Sequence, residues 1–314
     1  MRPGVDVEVR EVGLRDGLQS VSTFFPSAEK IAWVRAEAAC GMPEIEVCSF
    51  VPPKLIPQFA DATEIVAAAL EIEDLCVSAL TPNLKGALRA FETGVNKLNY
   101  VTSVSESHNQ SNVRRSTDES VEDFRRIVEA RDQHPQGSGT RLGVGLSTAW
   151  GCSIEGAVDP DATMRLAGRF VQAGADELAI CDTVGYANPT QVKSLLSRLI
   201  NEYGDSVDIA AHFHDTRGLG LANVYAALEA GIIRYDATLG GLGGCPYAPN
   251  ATGNIVMDDL VFLLEGAGLK TGVDLDSLVE VREIISRNLP DETLYGMYAL
   301  AGPPKGFQSA SRSV

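Results

Sequence analysis

D-A-T-M-R-L-A-G-R-F-V-Q-A-G-A-D-E-L-A-I-C-D-T-V-G-Y-A-N-P-T-Q-V-K-S-L-L-S-R-L-I-N-E-Y-G-D-S-V-D-I-A-A-H-F-H-D, residues 161–215, reads as helix, strand, helix, strand. Asp161–Ala173 is amphipathic and stops at Gly174, and Glu177–Thr183 is a short strand-like run. Pro189–Tyr203 opens with proline in its first turn, stops at Gly204 and leads into the run Asp208–Asp215. The Ala-Gly ending is a helix C-cap that hands the chain to the next strand. The same alternation extends in both directions. Further strands are expected at Val5–Val12, Glu44–Phe50, Asp74–Leu80, Lys97–Val104, Arg141–Thr148 and Tyr235–Gly241, and further helices at Ser27–Cys40, Thr117–Asp132 and Leu219–Ala230. Eight strands alternating with helices predict an α/β fold, a parallel (β/α)₈ TIM barrel. A doubly wound sheet would place a glycine-rich phosphate turn after its first strand, whereas this chain has Arg15-Asp16-Gly17-Leu18-Gln19 there.

One barrel accounts for residues 1–289, and residues 290–314, with Gly302-Pro303-Pro304 and a serine-rich end, read as an irregular C-terminal extension with some mobility. The 314 residues are 45% apolar and 22% charged, which supports a large core. With 26 basic against 42 acidic residues the net charge is −16. That balance excludes nucleic acid and anionic membrane surfaces as partners but leaves room for a phosphorylated small molecule on a local basic patch. No stretch is long and apolar enough to span a bilayer. Six scattered cysteines without a CxxC pair read as reduced thiols in a cytoplasmic protein.

A TIM barrel gathers its chemistry at the C-terminal ends of the strands. Two of the four histidines fall there, in Ala211-His212-Phe213-His214-Asp215. Residues i and i+2 of a strand share a face, so both imidazoles converge at the mouth of the barrel. Asp16, after the first strand, is expected to add an oxygen ligand from across the barrel. Two nitrogens and a carboxylate suit Mg²⁺, Mn²⁺ or a similar divalent ion with positions open for substrate. After the last strand comes Gly240-Gly241-Leu242-Gly243-Gly244-Cys245, whose glycines let backbone approach a ligand and whose tip carries a free thiol. Asn254 follows, with an amide oxygen to offer a cation.

The stretches R-D-G-L-Q (15–19), I-E-V-C-S-F-V (45–51), C-D-T-V-G (181–185), H-F-H-D-T (212–216) and G-L-G-G-C-P-Y-A (241–248) resemble, in order, the HMG-CoA lyase branch of the TIM-barrel metallolyases. The resemblance implies a retro-Claisen cleavage of a tertiary 3-hydroxyacyl-CoA, with 3-hydroxy-3-methylglutaryl-CoA giving acetyl-CoA and acetoacetate. It implies Mg²⁺ or Mn²⁺ as cofactor, an acyl-CoA as the binding partner, and a homodimer. By motif position, Asp16, His212, His214 and Asn254 match the metal ligands. Arg15 matches the group that stabilises the enolate, Cys245 the loop acid/base, and Glu46 and Asp182 the polar partners of metal, water and base. Gln19 and Glu11 match further motif positions. Asp182 also reads as the acceptor of the C3 hydroxyl proton.

The chain departs from the family at several points. Leu14 replaces a usual proline and Cys48 a common threonine, and Gln110-Ser111 replace a lysine pair. Arg114 and Arg115 follow, and with Gln19 and Lys54 they are the candidates for binding the CoA thioester. Trp150 sits in a loop expected to shape the acyl pocket. These changes leave the acyl group open, with citramalyl-CoA and longer branched analogues as alternatives. A Claisen-type synthase using a 2-oxo acid is the other class. The loop cysteine and the short C-terminal extension favour the lyase.

Overall fold

The computed structural model describes residues 2–243 and 253–312. Its eight main strands are β1 (Glu8–Glu11), β2 (Glu44–Ser49), β3 (Cys76–Thr81), β4 (Lys97–Ser103), β5 (Arg141–Ser147), β6 (Glu177–Asp182), β7 (Asp208–Phe213) and β8 (Arg234–Ala237). Each pairs in parallel with the next, and β8 pairs with β1, so the sheet closes into a barrel. All eight expected strands are present. The last is shorter than the expected Tyr235–Gly241. Gly240 adopts φ +74°, which a strand cannot, and Leu239–Gly241 forms a tight turn instead.

The helices are α1 (Ser27–Ala39), α2 (Ala62–Leu70), α3 (Leu84–Phe91), α4 (Glu106–Val113), α5 (Thr117–Gln133), α6 (Pro160–Gln172), α7 (Pro189–Tyr203), α8 (Gly220–Ala230), α9 (Met257–Gly266), α10 (Leu275–Asn288) and α11 (Met297–Ala301). Local chemistry starts them. Ser116 and Glu119 form a reciprocal capping box before α5, and Asn188 and Gln191 form another before α7, with Pro189 at its first position. Among the described residues, no helix is long and apolar enough to cross a membrane.

Strand alternation divides the core in two. Outward side chains such as Val9, Ile45, Val77, Leu98, Val144, Ile180 and Tyr235 are buried beneath the helices. Inward positions are charged, where a TIM barrel ordinarily carries branched aliphatics. Arg10 of β1 donates to Asp236 of β8 at 2.7 Å and to Glu177 of β6. Lys97 of β4 donates to Glu177 at 2.7 Å and to Glu44 of β2 at 3.0 Å. Arg10 and Asp236 stand on paired strands, but the bonds from Arg10 to Glu177 and from Lys97 to Glu177 and Glu44 join strands that are not neighbours, so these cross the barrel axis. Gly143 of β5 makes room for them: a Cβ there would stand 2.3 Å from the Asn99 amide oxygen.

The C-terminal extension lies against the barrel. Tyr295 N–H donates to the Gly240 carbonyl at 2.8 Å, and Arg282 holds the Tyr295 carbonyl at 2.8 Å. The Glu265 carboxylate accepts from the Ser309 and Ser311 hydroxyls and the Ser311 amide, and the Phe307 ring packs 5.1 Å from that of Phe262.

Removing one partner from a buried ion network leaves a bare charge, which costs about 3–5 kcal/mol. Lys97→Met is therefore expected to lower the unfolding free energy by about that amount in urea titrations. Lys193→Met, which breaks the exposed pair with Glu229, is expected to cost less than about 1 kcal/mol.

Candidate active site

The first strand runs into Gly13-Leu14-Arg15-Asp16-Gly17, which forms one wide π-type turn whose Gly17 N–H reaches back to the Val12 carbonyl at 3.3 Å. Such widened turns recur at functional sites because they re-aim side chains. Here Leu14 points into the core, while Arg15 and Asp16 face the barrel mouth. Across the mouth, β7 ends with His212 and His214 on its inner face. Their Nε2 atoms stand 3.2 Å apart, and Asp16 Oδ2 lies 3.9 Å from the first and 3.7 Å from the second. Among the described residues these three form a cluster whose ligand atoms all lie within 4.8 Å of one another, close enough to hold one metal ion.

Electrostatics follow from burial and pairing. Burial alone would raise the Asp16 carboxyl, but Arg15 and the two histidines pull it down to about 2. Burial, then His212 beside it, pushes the His214 imidazole down to about 4. His212 goes the other way. Burial would lower it, yet Asp236, 3.2 Å from Nδ1, outweighs that and raises it. Asp236 itself is held well below the carboxylate range by Arg10, which overcomes its burial. The chain of contacts therefore runs from the barrel floor through Arg10 and Asp236 to His212.

This cluster fits a divalent cation. Asp236 occupies His212 Nδ1 and so leaves Nε2 to face the site, the usual arrangement of an oriented metal-binding histidine. Asn254 Nδ2 donates to Asp16 Oδ2 at 2.7 Å and to the Leu242 carbonyl at 3.0 Å. Its Oδ1 is buried without a hydrogen-bond partner, as an oxygen awaiting a cation would be. Oxygen and imidazole donors together suit Mg²⁺ or Mn²⁺.

The remaining expected residues sort by contact. Glu46 is buried, accepts from Arg15 Nε, and is held from its other side by Asn99 Nδ2 at 2.8 Å. It aims the guanidinium. Gln19 and Arg114 line a cleft of about 690 Å³ with Arg15, Asp16 and His214. Arg114 ends α4 in the left-handed conformation, which turns the chain so that Arg114 and Arg115 diverge. Arg115 donates to the Pro82 carbonyl at 2.8 Å and pairs with Asp123 at 3.5 Å, so protein partners already hold its guanidinium. Trp150 is likewise core, with its ring 5.8 Å from that of Phe213.

Asp182 sits one residue beyond the inward-facing Cys181 and so on the opposite strand face. Its oxygens accept the amides of Tyr186 at 2.8 Å and Ala187 at 3.1 Å, and burial raises its carboxyl to about 6. Cys245 lies outside the described residues. Sequence reading missed Asp236, Asn99 and the floor charges. Their signal was present as polar residues at every second position of strands otherwise apolar.

The HMGL-like family profile matches residues 6–285. The chain belongs to the HMGL-like family. Its relatives include the hydroxymethylglutaryl-CoA lyase of Bacillus subtilis, 37% identical over 92% of this chain and 96% of that one. The (R)-citramalyl-CoA lyase of Chloroflexus aurantiacus is 36% identical over 95% of each. Among solved structures, an HMG-CoA lyase from Acinetobacter baumannii in complex with coenzyme A and 3-methylmalate superposes with a TM-score of 0.89, at 38% identity over 98% of this chain and 99% of that one.

For this HMGL-like chain, His212→Ala and His214→Ala are each expected to weaken Mn²⁺ binding sharply in isothermal titration, with the circular dichroism unchanged. Wild-type affinity is expected to rise with pH, by up to about tenfold per unit while one proton is displaced from His212. The sign follows from the raised His212: below its pKa the ring holds a proton that the cation must expel, and above it that competition vanishes. Affinity independent of pH from 5.5 to 8 would contradict the ligand set.

Proposed function

We propose that this protein is a divalent-metal-dependent acyl-CoA lyase that cleaves 3-hydroxy-3-methylglutaryl-CoA to acetyl-CoA and acetoacetate. The observation that carries the reading is the convergence of Asp16, His212 and His214 beside a clamped Arg15 at the base of a cleft. Mg²⁺ or Mn²⁺ is assigned to Asp16, His212, His214 and Asn254 Oδ1. A cation held there supplies Lewis-acid polarisation of substrate oxygens and lowers the hydroxyl pKa.

The cleavage removes the C3 hydroxyl proton, breaks the C2–C3 bond, leaves the new carbonyl on the acetoacetate half and delivers the electron pair to C2 as a thioester enolate. Asp182, held near 6, is assigned the hydroxyl proton through water. Arg15, fixed by Glu46 and Asp16, presents a cation to the thioester oxygen as it gains charge. A preplaced group of this kind is worth about 3 kcal/mol in the transition state. Cys245 is assigned the proton that C2 then takes up. Gln19 and Arg114 are assigned to the CoA thioester, with Arg114 as a cation on the cleft rim. A cytoplasmic homodimer completes the reading. The free cysteines of the described residues accord with a reducing compartment.

A second reading concerns the acyl group. Val51, Pro52, Leu55, Ile56, Leu80 and Val101 make one side of the cleft apolar, which suits a 3-substituent larger than methyl. Acetyl-CoA release should therefore be measured with HMG-CoA, citramalyl-CoA and longer 3-alkyl analogues, and condensation with acetyl-CoA plus 2-oxo acids. Fastest release from HMG-CoA is expected. Turnover only in the condensing direction would overturn the lyase assignment.

Cys245→Ser is expected to cut kcat by at least about 10²-fold, because an alcohol is a far weaker acid than a thiol. Mn²⁺ affinity should be unchanged. Near wild-type kcat in this variant would remove the proton-transfer role.

A further inference from the structure

Glu11 is the last residue of β1, and its side chain turns away from the barrel axis. It is fully buried, yet it pairs with no cation among its hydrogen-bond partners. It reaches two backbone amides that lie far apart in sequence. Its Oε1 accepts Gly13 N–H at 2.6 Å, at the head of the turn that carries Arg15 and Asp16. The same carboxyl accepts Leu239 N–H, at 3.0 Å to Oε2 and 3.2 Å to Oε1. Leu239 begins the tight turn Leu239–Gly241, from which the chain leads to Gly243 and the Cys245 segment. We infer that Glu11 is a positioning residue, a latch that fixes the metal-ligand turn after β1 against the glycine turn after β8.

The surroundings are built around this contact. Gly13 is held so close that a Cβ there would stand 2.4 Å from Glu11 Oε1 and 2.9 Å from the Trp33 ring. Glu37 of α1 closes the chamber behind Glu11, and it too is fully buried. Burial, then the neighbouring Glu37, pushes the Glu11 carboxyl up, and burial pushes Glu37 up to about 8. Both shifts favour a protonated pair. A shared proton removes the like-charge repulsion and leaves oxygen lone pairs for the two amides. From the far side, the C-terminal extension braces the same turn through Tyr295 N–H on the Gly240 carbonyl. Leu294 packs there as well, 2.9 Å from where a Gly240 Cβ would stand.

The latch deepens the lyase reading and, for its turnover arm, rests on it. Chain geometry lets three variants separate the two bonds. Glu11→Ala loses both. Glu11→Asp keeps the bond to Gly13, which is two residues on and within reach of an Asx turn, but is too short for Leu239. Glu11→Gln keeps an acceptor oxygen for both and can donate to Glu37.

The readouts are Mn²⁺ titration of the metal-free protein, hydrogen exchange of peptides covering residues 8–17 and 234–243, and kcat. For Glu11→Ala we expect faster exchange in both peptides and a loss of Mn²⁺ affinity of about tenfold or more, the range seen for outer partners of metal ligands. Glu11→Asp should speed exchange in 234–243 alone and lower kcat while Mn²⁺ affinity holds. Glu11→Gln should restore both exchange patterns and Mn²⁺ affinity. A merely structural Glu11 would lower the melting temperature of all three variants, leave Mn²⁺ affinity unchanged and show no exchange asymmetry in Glu11→Asp, which overturns the latch. Where Glu11→Ala fails to fold, the contrast between Asp and Gln carries the test. If the wild type cleaves no CoA thioester, the lyase reading fails, while exchange and Mn²⁺ binding still decide the latch.

Discussion

A charge buried in the middle of a barrel must find a counter-charge, and that requirement organises this protein from its floor upward. Arg10, Glu177, Lys97, Glu44 and Asp236 satisfy one another across the axis. Each side chain is long and unbranched or small and planar, so the layer closes only with glycine opposite, as at Gly143. An aliphatic floor would be as stable or more so. What it would lack is Asp236 held as a fixed anion. That anion sets the tautomer of His212 and points Nε2 at Asp16. The charged floor is thus the base of the Asp16, His212 and His214 cluster, and the geometry at the mouth is inherited from pairings two layers below.

The same logic separates what the sequence states openly from what it hides. The alternation of strand and helix is local, so the barrel is readable from end to end. The His-Phe-His spacing is readable because the period of a strand fixes which side chains converge. The wide turn at Gly13–Gly17 is readable only as a place, since its shape depends on Trp33 and Glu11 packing behind it. For Arg115, between α4 and α5, and Trp150, just past β5, the sequence shows the place but not the partners: only tertiary packing shows Arg115 paired with Asp123 and the Trp150 ring against Phe213. Asp236 and the floor went unseen because charged residues in short strands are ordinarily taken as solvated. In a closed parallel barrel no strand face is solvated. Glu8, Arg10, Glu44, Glu46, Lys97, Asn99, Glu177 and Asp236, each two positions from a like neighbour or opposite one across the barrel, were therefore a buried network written in plain view.

Above the floor, the protein solves a different problem. The chain is acidic overall, yet the ligand of an acyl-CoA lyase is an anion. Arg15 is the cation at the base of the cleft, but Glu46 and Asp16 hold it on two sides. Those carboxylates neutralise most of its field at a distance and leave its direction intact. Under the proposed function, selectivity would then come from geometry at contact range, with Arg114, which lines the same cleft, as a second cation. Long-range attraction contributes little, so salt should matter less to encounter than the fit of the thioester against Arg15.

Protons and a cation compete for one place in this site. With His212 raised by Asp236 and His214 pushed down by burial, the first ring keeps a proton to higher pH than the second. The two Nε2 atoms can then share that proton across 3.2 Å. This arrangement keeps both rings in the ligating orientation before any metal arrives, because a shared proton asks for the same convergence as a cation. It also leaves Asn254 Oδ1 without a partner, since a single proton cannot reach it. Under the proposed assignment, a divalent ion would do more than replace the proton: it would give that oxygen a partner and place a second positive charge beside Asp16. The two occupants would then differ by one charge and one satisfied oxygen, and that difference would favour a metal over a proton.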